Sequence, residues 1–305
     1  MFKNLIVYRI GPTWSANRAA LEAGLAKASF VACGATQAVS AGWTTPRGVA
    51  HAPLVEVVGG QWLFQLTIEQ RVLPSAVVKR RADERVAQIE HTTGRKPGKK
   101  QTKEIKEDAV LELLPQAFTK QAAIKVWLSP AQRLLMVDAS SPARADEVVT
   151  HLVKALDGIV LTPVHTAQSP AAAMSQWLTL GEPPAAFSID RECELKSADE
   201  MKSVVRYARH PLDTDEVRQH IAAGKVPNKL ALTWRGRVSL LLTDAMQIKR
   251  IAFLDGVFEG GSKPKADEAF DADASIATGE LGRLIPDLID ALGGEHEFGA
   301  LAQAA

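Results

Sequence analysis

Apolar and polar positions fall in blocks whose spacing outlines most of the elements. Residues 5–10 (LIVYRI) form an apolar strand, and 15–28 follow as a predicted helix with Ala19, Leu21, Leu25 and Ala28 on one side. Small, turn-rich residues fill 29–53, after which 61–68 (QWLFQLTI) alternates as a strand. Ser75 caps a predicted helix that runs to Thr93 with one modest apolar stripe and a broad charged remainder. A Gly/Pro turn, GRKPGKK, separates it from a second amphipathic helix carrying Ile105, Val110, Leu111, Leu113 and Leu114, which stops before Pro115.

Further on, 124–128 and 134–137 read as strands joined by the SPAQ turn, followed by a helix from Pro142 closed near Gly158. The proline- and alanine-rich stretch 161–184 reads as a bridge between lobes. A helix over 212–224 has Asp213 as cap and Glu216 three residues on, and KLALTW, RVSLLL and IKRIAF then form an antiparallel meander. A strand at 274–277 and a helix over 280–292 close the chain. The hairpin-then-helix order at 124–157 is loosely echoed at 238–292, which would fit a duplicated α/β unit.

These elements define a mixed α/β (α+β) protein with a central antiparallel sheet-and-helix body and a projecting helical tip. The body takes residues 1–74, 121–180 and 226–305, with 35–55 as a small base region; the tip takes 75–120 and 181–225. With 305 residues, of which 46% are hydrophobic and 23% charged, the chain buries a substantial core. Cys33 and Cys193 lie far apart with no CxxC pattern, which argues against a disulfide framework or zinc site and fits a reducing cytoplasm. No window approaches about 18 uninterrupted apolar residues, so no membrane partner is expected.

Charge changes the picture locally. The net charge is only +1, yet residues 79–103 carry nine Lys/Arg against three Asp/Glu. Lys79, Arg80, Arg81, Arg85, Arg95, Lys96, Lys99, Lys100 and Lys103 are therefore candidate contacts for a polyanion. A second basic population surrounds the meander: Arg206, Arg209, Lys225, Lys229, Arg235, Arg237, Lys249 and Arg250. Many phosphate contacts without a groove-reading motif imply affinity that ignores sequence and falls with salt. The plain alternative is a solvated, charge-rich helix face.

Catalytic signals are weak. Gly94 and Gly98 are separated by three residues where a P-loop needs four, and Lys99 is followed by Lys100 instead of Ser or Thr. His296-Glu297 lacks the second histidine of a zinc protease helix, acidic pairs such as Asp190/Glu192 and Asp271/Asp273 are accounted for as caps and turns, and GxSxG is absent. No cofactor, metal or enzymatic activity is expected. A nucleotide-dependent enzyme using GRKPGKK and a scaffold that acts on other proteins without DNA are the competing readings.

Several strings, in order, resemble the bacterial RdgC family of recombination-associated proteins: FKNLIVYRI at 2–10, LPSAVVK at 73–79, LLPQAF at 113–118, LMVDASS at 135–141, VVRYARHPL at 204–212, HIAAGKVPNKLALTW at 220–234, IKRIAFLD at 248–255 and TGELGRLIPDLIDALGG at 278–294. The resemblance implies a ring-shaped homodimer with a basic central hole around double-stranded DNA, binding with little sequence preference, associated with the nucleoid and limiting access of RecA recombinase. It also implies that Phe118 meets the partner subunit at the tip. Arg209 and His210 occupy the positions of its facing polar partners, where the family more commonly has a Lys-Gln pair. By residue chemistry alone, helix-end packing accounts for Phe118.

Overall fold

The computed structural model describes residues 1–49, 51–199, 201–257 and 266–296; Glu297 and the parts of the expected body at 258–265 and 297–305 lie outside the described residues. Two antiparallel sheets organise the chain. The first contains β1 (Ile6–Ile10), β2 (Val39–Thr44), β3 (Glu56–Val58), β4 (Gln61–Val72), β5 (Phe118–Ser129), β6 (Leu134–Val137) and β7 (Leu161–Pro163), in the order β2-β4-β5-β6-β1-β7 with β3 also on β4. Alternation sends its side chains to two cores. Tyr8, Phe64, Val126, Leu135 and Val137 meet Leu21 and Leu25 of α1 (Arg18–Ala26) and Val148 and Leu152 of α4 (Pro142–Ala155). Val7, Leu63, Trp127, Leu134 and Met136 enter the opposite core. Gly24 makes the α1–α4 contact possible, since a Cβ there would lie 2.3 Å from the Ala155 carbonyl oxygen.

The second sheet has the order β12-β11-β10-β8-β9, from β8 (Phe187–Ser197), β9 (Val204–Ala208), β10 (Lys225–Trp234), β11 (Val238–Thr243) and β12 (Ile248–Phe253). The expected meander is its β10–β11–β12 half. Leu195, Leu230, Leu232, Trp234 and Leu240 pack inward with Met174 and Trp177 of α5 (Pro170–Leu180), Val217 of α6 (Asp215–Ala222), and Leu281, Leu284 and Leu288 of α7 (Ala266–Ala291). The other face of the sheet is polar: Glu194 there receives bonds from Arg206, Asn228 and Lys229. Reciprocal backbone hydrogen bonds between Leu5 and Ile248 join the two sheets. Helix α7 touches both, as Gln132 of the β5–β6 turn donates to the Gly282 carbonyl and the Trp234 indole donates to Asp287 at 2.8 Å.

Several expectations are corrected. Residues 187–197 and 204–208 are strands of the second sheet, so 181–225 does not share a helical region with 75–120; β8 alternates Phe187, Ile189, Cys193 and Leu195 with outward charges. The stretch 161–184 is not a bare bridge, because it holds β7 and α5, with Trp177 and Leu178 in the core. Residues 274–277 are helical, and Ala274 and Ala277 are small, fully buried positions in α7. Pro74 and Thr214, not Ser75 and Asp213, occupy the helix caps; Asp213 instead pairs with Arg218. The hairpin-then-helix order does occur twice, as β5–β6–α4 and β11–β12–α7.

Candidate nucleic-acid interface

Between β4 and β5 the chain makes a helical hairpin, α2 (Ser75–Thr93) and α3 (Lys99–Leu113). Its two helices share a small core of Val78, Ala82, Ile105 and Ala109, flanked by Val86, Ile89 and Val110, separate from the cores of the sheets. That narrow stripe leaves the rest of each helix to charge. Gly94 ends α2 at φ 66°, a left-handed conformation that glycine adopts without strain, and its N–H donates to the Glu90 carbonyl at 2.8 Å. Four residues later Gly98 opens α3.

The cations of the hairpin divide by position. Arg81 and Arg85 of α2 both reach Glu112 of α3, Arg85 at 2.6 Å, and so tie the two helices together. The Arg81 bond holds the Glu112 carboxyl below the usual carboxylate range. Arg80 lies 4.0 Å from Glu84, and Lys103 3.7 Å from Glu107. By contrast Lys79, Arg95, Lys96, Lys99 and Lys100 are exposed and make no ion pair among the described residues. Lys106, not singled out from the sequence, is equally exposed; its spacing from Lys99 and Lys103 puts it on the same helical face. GRKPGKK thus joins two helices, whereas a phosphate loop follows a strand.

The second basic population is largely occupied. Lys229 of β10 bonds Glu194 at 2.9 Å, alongside Arg206 at 2.5 Å. Burial pushes the Glu194 carboxyl up, but the bonds from Arg206, Asn228 and Lys229 outweigh it and bring it down to about 2. In the β10–β11 turn, Arg235 pairs with Asp287 at 3.0 Å and stacks over Trp234, while Arg237 pairs with Glu280 at 2.7 Å. These two arginines clamp α7 to the second sheet. Arg250 pairs with Glu192, and the Lys225 amine lies 3.4 Å from the His220 ring nitrogen. Lys249 makes no ion pair among the described residues.

Phe118 opens β5 opposite Val72 of β4 and is 88% exposed, so it is not packed against a helix end. Val72 is itself exposed, which gives an apolar spot at the root of the hairpin. Arg209 and His210 follow β9 and are exposed; Arg209 has φ 56°, and the His210 ring lies 5.6 Å from that of Tyr207 at a tilt of 43°. Among the described residues, no three His, Cys, Asp or Glu side chains come together as a metal-binding group, and no helix is long and apolar enough to cross a membrane. What the hairpin offers chemically is concentrated positive charge on a packed support.

Residues 1–295 match the family model described as "Putative exonuclease, RdgC". The chain belongs to the RdgC family. Similar relatives include the Recombination-associated protein RdgC of Dechloromonas aromatica, 48% identical over 96% of this chain and 98% of that protein. The proteins of the same name from Cupriavidus necator and Bordetella pertussis are 45% and 42% identical, covering 97% and 96% of this chain and 99% and 98% of theirs. RdgC-like sequence therefore extends through both sheets and the hairpin alike, not through one of them alone.

Proposed function

We propose that this chain binds duplex DNA through its phosphates, without reading bases, as a ring-shaped homodimer of the nucleoid in the cytoplasm, and that this occupancy limits RecA-driven recombination. The observation that carries the reading is the turn of the helical hairpin. Arg95, Lys96, Lys99 and Lys100 are exposed there without carboxylate partners among the described residues, on a support stiffened by Arg81, Arg85 and Glu112. Cations already held by carboxylates gain less from a phosphate, since the existing bond must break first. Lys79, Arg95, Lys96, Lys99, Lys100 and Lys249 are accordingly the leading phosphate contacts, and Arg81, Arg85, Lys229, Arg235 and Arg237 act by shaping the field and the fold.

Phe118 supports the dimeric part of the reading, because a phenyl ring 88% exposed in water gains from burial against a second copy. Arg209 and His210 are its proposed facing partners. The experiment is light scattering with closed circular and linear duplexes of one sequence: the ring predicts salt-resistant retention on the circle and loss from the linear form. Phe118→Ala should leave the circle faster. Equal retention on both forms contradicts encirclement.

The description of the family model favours a second reading, a nuclease acting from DNA ends. End-labelled linear duplex incubated with magnesium or manganese separates the two. The non-catalytic reading predicts intact label, and stepwise release of nucleotides would replace it.

A further inference from the structure

The hairpin leaves and re-enters the first sheet at a place governed by one side chain. Arg71, next to last in β4, donates through Nη1 to the carbonyls of Leu114 and Ala117, at 2.9 and 3.2 Å, where α3 runs out through a short 3-10 turn just before Phe118. Through Nη2 it donates to the carbonyls of Gly34 and Cys33, at 3.1 and 3.4 Å. The Leu114 carbonyl already accepts the Ala117 N–H of that turn at 3.1 Å, so the guanidinium adds a second, charge-assisted donor there, at the negative end of the helix dipole, and a donor to the Ala117 carbonyl just beyond it. No carboxylate forms an ion pair with Arg71 among the described residues, so its hydrogen bonds go to these carbonyls, while the bond from Gln121 lowers the Glu69 carboxyl two residues away and the Arg71 charge also helps to lower it.

The far side of the clamp is fixed independently. Glu69, two residues earlier in β4, accepts the Cys33 N–H at 2.7 Å and the Gln121 side-chain amide of β5 at 2.7 Å. Ser40 of β2 donates to the Val31 carbonyl from the neighbouring strand. The loop around Cys33 and Gly34 is therefore a braced abutment, and Arg71 connects it to the root of the hairpin. This connection is non-local, spanning 37 residues on one side and 43 on the other.

We propose that Arg71 is the positioning residue of the DNA-binding arm: by gripping the 114–117 turn and the 33–34 loop at once, it fixes the direction in which the helical hairpin and Phe118 leave the sheet. Its effect on DNA rests on the reading of the hairpin as the phosphate contact, whereas its effect on the arm does not. Lysine retains the charge but presents a single ammonium, which cannot span both sets of carbonyls as the fork does.

The test is Arg71→Lys in the full chain, read first by hydrogen exchange without DNA. Amides at 33–34, 114 and 116–118 are expected to exchange about tenfold faster or more, with those of β6 and β11 unchanged. On closed circular duplex the variant should dissociate faster with an unaltered dependence of affinity on salt, because no phosphate contact has been removed; a general loss of stability would instead raise exchange throughout the sheets. Unchanged exchange at 33–34, 114 and 116–118 overturns the proposal whether or not the protein binds DNA, and absence of wild-type DNA binding overturns only the functional reading. If Arg71→Lys does not fold, exchange of the wild-type protein across a urea series decides: the two segments opening as one unit supports the clamp, and their opening at different urea concentrations overturns it.

Discussion

Glu194 shows how a residue's neighbours decide its role. It lies on the polar face of the second sheet and accepts from Arg206, Asn228 and Lys229, which together hold its carboxyl at about 2 despite burial. A carboxylate with a depressed folded value stabilises the fold above the ordinary carboxylate range and loses that contribution as pH falls through the folded value. Glu194→Gln should therefore be less stable than the wild type at pH 7, and the gap should close as pH falls from about 4.3 toward 2. Urea titrations of both proteins at stepped pH check this, and a gap that widens on acidification contradicts it. The sequence displays Glu194 only as one acid in an acidic stretch, since its three donors arrive from β9 and β10. Phe118 was similarly illegible: its place after LLPQA resembles helix-end packing, and only the strand register opposite Val72 shows it standing in solvent.

At the scale of elements, legibility follows how much of each pattern serves burial on one face. The two helices of the hairpin were readable because a single stripe repeats on either side of the Gly94–Gly98 break, and the meander because buried Leu230, Leu232 and Trp234 alternate in β10 and a short apolar run, VSLLLT, follows the next tight turn. Helix α5 was not, since PAAAMSQWLTL is apolar nearly all round and prolines precede and follow it. The first half of α7 uses alanines where larger residues would signal a core, and the first residues of β5, FTKQ, are all exposed and carry no period. The hairpin core permits a local test. Ala109 is fully buried between α2 and α3, and Ala109→Leu should overpack that contact by about 1–3 kcal/mol. Hydrogen exchange should quicken over 75–113 and stay unchanged in the sheets; a protein destabilised everywhere would mean that the hairpin is not a separate packing unit.

For the whole molecule, the near-zero net charge hides a division of labour among cations. Arg9, Arg47, Arg235 and Arg237 hold α7 and its flanks to the two sheets through Glu295, Asp271, Asp287 and Glu280. The cations of the hairpin turn have no carboxylate partner among the described residues. Composition revealed the basic island, but it could not separate structural arginines from available lysines, because that depends on carboxylates supplied from distant parts of the chain. The most direct measurement is the affinity of wild type and the Lys99→Glu, Lys100→Glu variant for two unrelated duplexes across a salt series. The account predicts equal affinity for the two duplexes, a log-log slope of about −0.9 per phosphate contacted, and a slope shallower by about 1.8 in the variant. Salt-independent affinity, or a slope that the two charge reversals leave unchanged, would contradict it.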